Sequence, residues 1–179
     1  PADVGRQLAD VQKQFALLNQ LTAAPATQTA LVVAASEQAD RTLLVAQTVT
    51  ESIEKMAQAP SARLVNLAGR QRMLSQRLAK NYFLNAAKVE SKVVQAQLVA
   101  DAADFRQALQ TLKAAPVSTP AIRSELELAD SQWLFFDSAL RRPADDAGLS
   151  AVATTSERLL GVMDKLTSLY EAALREVLG

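Results

Sequence analysis

Residues 64–83 read LVNLAGRQRMLSQRLAKNYF, and the fold follows from how this stretch divides on a helix. At 100° per residue Leu64, Leu67, Ala68, Leu74, Leu78 and Tyr82 share one arc, the apolar stripe of a helix packed on a bundle core. Arg63, Arg70 and Arg77 recur every seven residues on a neighbouring arc, which predicts a solvated stripe. A third surface, across the core face from that stripe, collects Val65, Gly69, Arg72, Gln76 and Phe83, with Met73 close by. The stretch contains no acidic residue. From Lys55 to Val89 there is none at all, against Lys55, Arg63, Arg70, Arg72, Arg77, Lys80 and Lys88. A block of positive charge in a chain of zero formal net charge calls for an anionic counterpart or plain water.

The rest of the chain bounds the chemistry. With 179 residues, 49% of them apolar, it can bury a substantial core and is not disordered. Balanced charge argues against a nucleic-acid partner. The chain has no cysteine and no histidine. That removes disulfides, thiolate chemistry and the commonest general base and metal ligand. A carboxylate-bridged metal in a bundle would want Glu-x-x-His pairs, which are absent, and Glu125 and Glu127 are two apart, so they cannot share one helix face. No catalytic residue, metal or cofactor is expected, and the protein is expected not to be an enzyme. No run approaches the roughly 20 apolar residues of a membrane span. The opening PADVGRQLAD has neither an initiator methionine nor a signal-peptide pattern, so the chain reads as a processed or excised piece.

Leu, Ala, Gln, Glu and Arg dominate, and prolines fall at natural boundaries, which together predict an all-α protein. The first helix is expected over 2–22, with Leu8, Val11, Phe15, Leu18 and Leu21 inward, ended by Ala24-Pro25. The second is expected over 27–58, with Leu31, Ala35, Ala39, Thr42, Val45, Val49 and Ile53 inward, stopping at Pro60. A third starts near Ser61 and runs over fifty residues to Pro116, with room for a kink near Ala87–Ser91. Ser118 or Thr119 is placed to cap a fourth helix over 121–141. After Pro143 and Gly148 a fifth covers 149–177. Short connections imply antiparallel neighbours, hence an antiparallel up-down helical bundle of four to five long helices in a single domain, 1–179.

An internal repeat supports this layout. At an offset of 120, LADVQKQF (8–15) lies over LADSQWLF (128–135), and Ser36-Glu37 over Ser156-Glu157. At 118, Pro25 and Leu31 meet Pro143 and Leu149. Residues 1–58 thus resemble 121–178, with the basic helix, 61–114, between them, as in a piece of a longer repeated array.

The third surface of the basic helix carries the functional reading. A glycine inside a helix costs about 0.8–1 kcal/mol relative to alanine. It is worth that cost where another backbone approaches closely or a small ligand touches the main chain. Arg72, one turn along, offers a planar fork of donors that suits a carboxylate or nitrate. At the seam of a symmetric dimer, two Arg72 side chains would repel, and an anion between them would relieve the repulsion. The other reading is a structural helix with exposed arginines.

GlyArgGlnArgMetLeuSerGlnArgLeuAlaLys at 69–80, preceded by Asn66, resembles the signature of the PilJ-type sensor domain, the type IV pili methyl-accepting chemotaxis transducer N-terminal family. It is also similar to the P-box of bacterial nitrate/nitrite sensor kinases, roughly Asn-x-Ala-Gly-x-x-Arg-Met-x-Ser-x-Arg. Asn66, Ala68, Gly69, Arg72, Met73, Ser75 and Arg77 meet its fixed positions, while Leu67 stands where the kinases carry a lysine. The resemblance implies a periplasmic helical-bundle module for signal transduction or chemotaxis. It would bind nitrate or nitrite at a homodimer interface and be joined to membrane helices and an output domain outside this chain. The ligand-binding residues it implies are Arg72 and Gly69, with Asn66, Met73, Ser75 and Gln76 around them and Arg70 as a second charge. The alternative is a non-catalytic interaction bundle that keeps the motif, binds no anion and docks an acidic partner. An acidic excess over 119–179, ten Asp and Glu against six Arg and Lys, offers the basic helix partners inside the bundle itself. Trp133, Phe135 and Phe136 read as core packing.

Overall fold

In the computed structural model, the segment expected as one helix from Ser61 to Pro116 is an antiparallel pair. The described residues are 2–23, 28–57, 60–89, 91–117 and 119–178. They form α1 (Ala2–Thr22), α2 (Thr29–Ala57), α3 (Pro60–Ala86), α4 (Ser91–Lys113), α5 (Pro120–Leu140) and α6 (Asp146–Leu178). Every regular element among them is a helix, as the sequence predicts; the helix count rises because the third helix is broken. The break is a Schellman motif. Lys88 sits at φ 59°, in the left-handed region. The Val89 amide donates to the Leu84 carbonyl at 2.9 Å and the Lys88 amide to the Asn85 carbonyl at 3.0 Å. Leu84 and Val89, which flank this turn, are both buried.

By its internal contacts the chain divides into two units, Pro1–Ala59 and Pro60–Gly179, where the sequence predicts one domain. The expected break at Ala24-Pro25 and the Ser118 cap lie outside the described residues. Thr119 takes the capping role: its hydroxyl accepts from the Ile122 amide at 3.2 Å, and Pro120 begins α5 in the first turn, where its missing N–H costs nothing.

The first unit is a two-helix hairpin. Val4, Gln7, Val11, Gln14, Leu18 and Leu21 recur at intervals of three and four and face Leu31, Ala35, Gln38, Thr42, Val45 and Val49. Gln38, 6% exposed, donates from Nε2 to Oε1 of Gln14 at 2.9 Å and to its backbone carbonyl at 3.1 Å. A buried amide pair in an apolar seam fixes the register of the helices. Leu8, Phe15 and Ile53, expected inward, are exposed. Two helices share a single seam, and these residues lie off it.

The second unit is a four-helix ring in which α3 packs against α4 and α6, and α5 packs against α6 and α4. Phe105 of α4 stacks on Trp133 of α5, ring centroids 4.3 Å apart, and Phe136 meets the indole edge-on. Leu74, Leu78, Leu112, Ile122, Leu159, Met163, Leu166 and Tyr170 complete the core. Trp133 and Phe136 are core residues, as expected; Phe135 points outward and is 63% exposed.

At an offset of 118, seam positions of α1 and α2 fall on buried positions of α5 and α6. Val4, Gln7, Val11, Leu18 and Leu21, on the α1 seam, correspond to Ile122, Glu125, Ala129, Phe136 and Ala139, all buried. Buried Gln38 and Val49 correspond to buried Ser156 and Thr167. Off the seam the environments differ at this offset, for Leu8 and Phe15 are exposed while Leu126 and Trp133 are buried.

Candidate anion-binding site on the motif helix

Each of the three surfaces read from residues 64–83 has a definite neighbour. Ala68, Leu74, Leu78 and Tyr82 are buried in the bundle core, with Leu64 and Leu67 packed against it. Gln71 and Ser75, both fully buried, share that interior. The Ser75 hydroxyl donates to the Arg72 carbonyl at 2.7 Å, one turn back, so its polarity is spent within α3. Gln71 donates to the Leu67 carbonyl at 2.9 Å, while its Oε1 is buried without a hydrogen-bond partner.

Two of the heptad arginines, Arg70 and Arg77, face α4. Arg63 is exposed as expected. Arg77 is not: its side chain is 19% exposed and grips Asp101, itself 3% exposed, through Nε at 2.8 Å and Nη2 at 2.6 Å. Arg70 reaches Asp104 at 3.3 Å, and its Nε is buried without a partner. At Arg70 and Arg77 the stripe expected to be solvated is therefore an interhelical one. Its counter-charges, Asp101 and Asp104, lie one turn apart on the packing side of α4. Asn66 and Met73 fall on the same helical face, half-buried, and Met73 packs against the core.

Gly69, Arg72 and Gln76 face α6. A Cβ on Gly69 would meet Cγ2 of Thr167 at 3.9 Å, an ordinary contact, so no neighbouring backbone forbids a side chain there. Gln76 Nε2 approaches the Ser156 carbonyl at 3.4 Å. Arg72 Nη1 donates to Asp164 Oδ1 at 2.8 Å, with the side chains 44% and 63% exposed. An ion pair so open to water is worth little. The seven residues named from sequence thus fall into three places: Gly69, Arg72 and Gln76 on the α6 side, Asn66, Arg70 and Met73 on the α4 side, and Ser75 inside.

Asp101, Asp104 and Asp164 were not identified from the sequence as partners of this helix. The acidic excess after residue 118 points toward Asp164, whereas Asp101 and Asp104 lie before it. Among the described residues no group of three or more acidic side chains is placed to hold a metal ion, and no helix is long and apolar enough to cross a membrane.

Fold and site together define an all-α, bundle-type module whose distinctive helix presents arginines to both of its neighbours. The chain belongs to the family of type IV pili methyl-accepting chemotaxis transducer N-terminal domains, PilJ, whose model matches residues 56–159. The match spans α3, α4, α5 and α6 as far as Leu159, and it contains the whole run from Asn66 to Lys80. The family is that of a chemotaxis transducer's sensor domain, so the setting of this module is signal transduction. No curated protein and no solved structure matches this chain.

Proposed function

We propose that this protein is a non-catalytic, extracytoplasmic sensor module that binds a small planar oxyanion, nitrate or nitrite, at Arg72. The observation that carries the reading is Arg72 itself, the motif arginine whose guanidinium lies at an open edge of α3 and α6. Its other donors are free in geometry to meet a second carboxylate-like group, because a guanidinium offers five N–H in a fixed fork. Gly69 lies three residues before it, in the same seam, where an added Cβ would be in ordinary contact with Thr167. Because Arg72 is open to solvent, a second copy of the chain can reach it, and the ligand would then lie between two such arginines in a homodimer. In the intact transducer, membrane helices and an output domain would lie outside this chain.

Calorimetry with nitrate, nitrite and chloride on the wild type and Arg72→Ala tests this. Saturable binding of nitrate or nitrite that disappears in Arg72→Ala is the expected result. Binding that survives that substitution unchanged removes Arg72 from the site.

A second reading rests on a different observation. Arg70, Arg72 and Arg77 all find aspartates within the chain, at 3.3, 2.8 and 2.6 Å. On that reading the motif holds the bundle together and takes no ligand. Arg72→Ala would then lower stability slightly, and no anion would bind in a saturable way.

A further inference from the structure

Asp164 puts a carboxylate on Arg72 at 2.8 Å, and a carboxylate is itself a planar anion with two oxygen acceptors. We propose that Asp164 is an internal occupant of the anion site, and that an incoming oxyanion binds by displacing it and so releases the Asp164 turn of α6 from Arg72. The proposal rests on the reading of Arg72 as the anion site.

Three features make the exchange feasible. The Asp164 side chain is 63% exposed, so it moves into water without a desolvation barrier. The shape and charge of its carboxylate match those of the ligand, so the guanidinium keeps equivalent hydrogen bonds throughout. The neighbouring polar tie across the same seam, Gln76 to the Ser156 carbonyl, is long at 3.4 Å and holds weakly.

The next residue shows what moves. Lys165 Nζ pairs with Oε2 of Glu125 on α5 at 2.8 Å, and Glu125 is buried. Consecutive residues of α6 therefore tie it to different helices, Asp164 to α3 and Lys165 to α5. Displacing Asp164 removes the polar tie of this turn to the motif helix and leaves its tie to α5, while the buried core between α3 and α6 stays packed. Anion occupancy would then loosen α6 locally around Asp164. By linkage, whatever the Arg72–Asp164 pair contributes to closing α6 on α3 is subtracted from anion affinity.

The test is nitrate calorimetry at constant ionic strength on the full chain, as wild type, Asp164→Asn, Arg72→Ala and the double variant. It is paired with amide hydrogen exchange along α6. Circular dichroism establishes that each variant is folded. Asp164→Asn is expected to tighten binding by roughly three- to tenfold, in line with the small worth of an exposed pair plus relief of repulsion. It should also speed exchange in α6 without nitrate, as nitrate does in the wild type. A silent wild type with Arg72-dependent binding in Asp164→Asn also supports the proposal. If Arg72→Ala loses binding while Asp164→Asn matches the wild type, the proposal falls and the anion site stands. If Arg72→Ala binds like wild type, or neither wild type nor Asp164→Asn binds, the anion site falls and the proposal with it. Unchanged α6 exchange on nitrate addition overturns the release step alone.

Discussion

Arg77 holds Asp101 by two parallel hydrogen bonds, 2.8 and 2.6 Å, across the α3–α4 seam, with both side chains largely out of water. Removing one partner of such a pair strands the other, which costs about 3–5 kcal/mol. Arg77→Ala should therefore destabilise the second unit far more than Arg70→Ala, whose pair with Asp104 is half-exposed. Arg77→Met combined with Asp101→Leu should recover most of the loss, since no buried charge is left alone. Urea unfolding followed by the fluorescence of Trp133 reads all three variants. Equal effects of Arg70→Ala and Arg77→Ala would show that burial is not what distinguishes the two pairs.

Two glycines make opposite predictions. At Gly69 a methyl group would sit in ordinary contact with Thr167, so Gly69→Ala should raise helix stability by about 0.5–1 kcal/mol. At Gly148 a methyl group would lie 2.0 Å from the Pro143 carbonyl oxygen and 2.8 Å from the Tyr82 hydroxyl. The backbone there cannot yield cheaply, and Gly148→Ala should cost on the order of 2–3 kcal/mol. Thermal melts decide both. A Gly69→Ala protein that is more stable yet binds nitrate less well would show that the glycine serves a ligand rather than the fold.

The hydroxyl of Tyr82 shares its proton between the carbonyls of Arg142 and Pro143, at 3.1 Å each, and so ties α3 to the α5–α6 connection. Burial raises its pKa above the usual 10.0, Asp145 raises it further, and Arg142 works in the other direction. Burial likewise raises the pKa of Tyr170, whose hydroxyl donates to the Leu112 carbonyl at 3.1 Å. A raised folded-state pKa means the unfolded chain gives up these protons first. Stability from both tyrosines is fully present below pH 10 and is lost as pH rises above it. Urea midpoints should fall as pH rises above 10, and less steeply in Tyr82→Phe and Tyr170→Phe. A slope unchanged in both variants would assign the alkaline loss to other groups.

Much of this was legible from the chain itself. Leu64, Ala68, Leu74, Leu78 and Tyr82 follow a 3.6-residue period, and period alone places them inward. Pro60, Pro120 and Thr119 mark helix starts by local chemistry, and the helix bounds near them come out within a few residues. Contacts set by distant segments were not legible. Nothing near Arg77 signals that a carboxylate 24 residues away is buried against it, so a regular basic stripe looked solvated. Leu8 and Phe15 have the spacing of core residues, but their burial depends on how many helices surround α1. Phe135 and Phe136 are adjacent and equally apolar, and only the orientation of α5 sends one in and the other out.

The break at Lys88 was the largest departure, and its cause is testable. Helix ends of this form carry glycine or asparagine at the left-handed position, because a Cβ there crowds the backbone. Here the position holds lysine at φ 59°, so the local sequence continues the helical pattern and conceals the reversal. The turn is kept by its two hydrogen bonds, Val89 to Leu84 and Lys88 to Asn85, and by burial of Leu84 and Val89. Tertiary structure thus holds a residue in a conformation it disfavours by about 1 kcal/mol. Lys88→Gly should relieve that and stabilise the second unit by up to about 1 kcal/mol, net of the extra flexibility of glycine in the unfolded chain. Lys88→Val, β-branched at the same φ, should destabilise it by a similar or larger amount. Were both substitutions neutral in urea unfolding, the chain would not reverse at Lys88 in the left-handed conformation, and α3 and α4 would join by another turn.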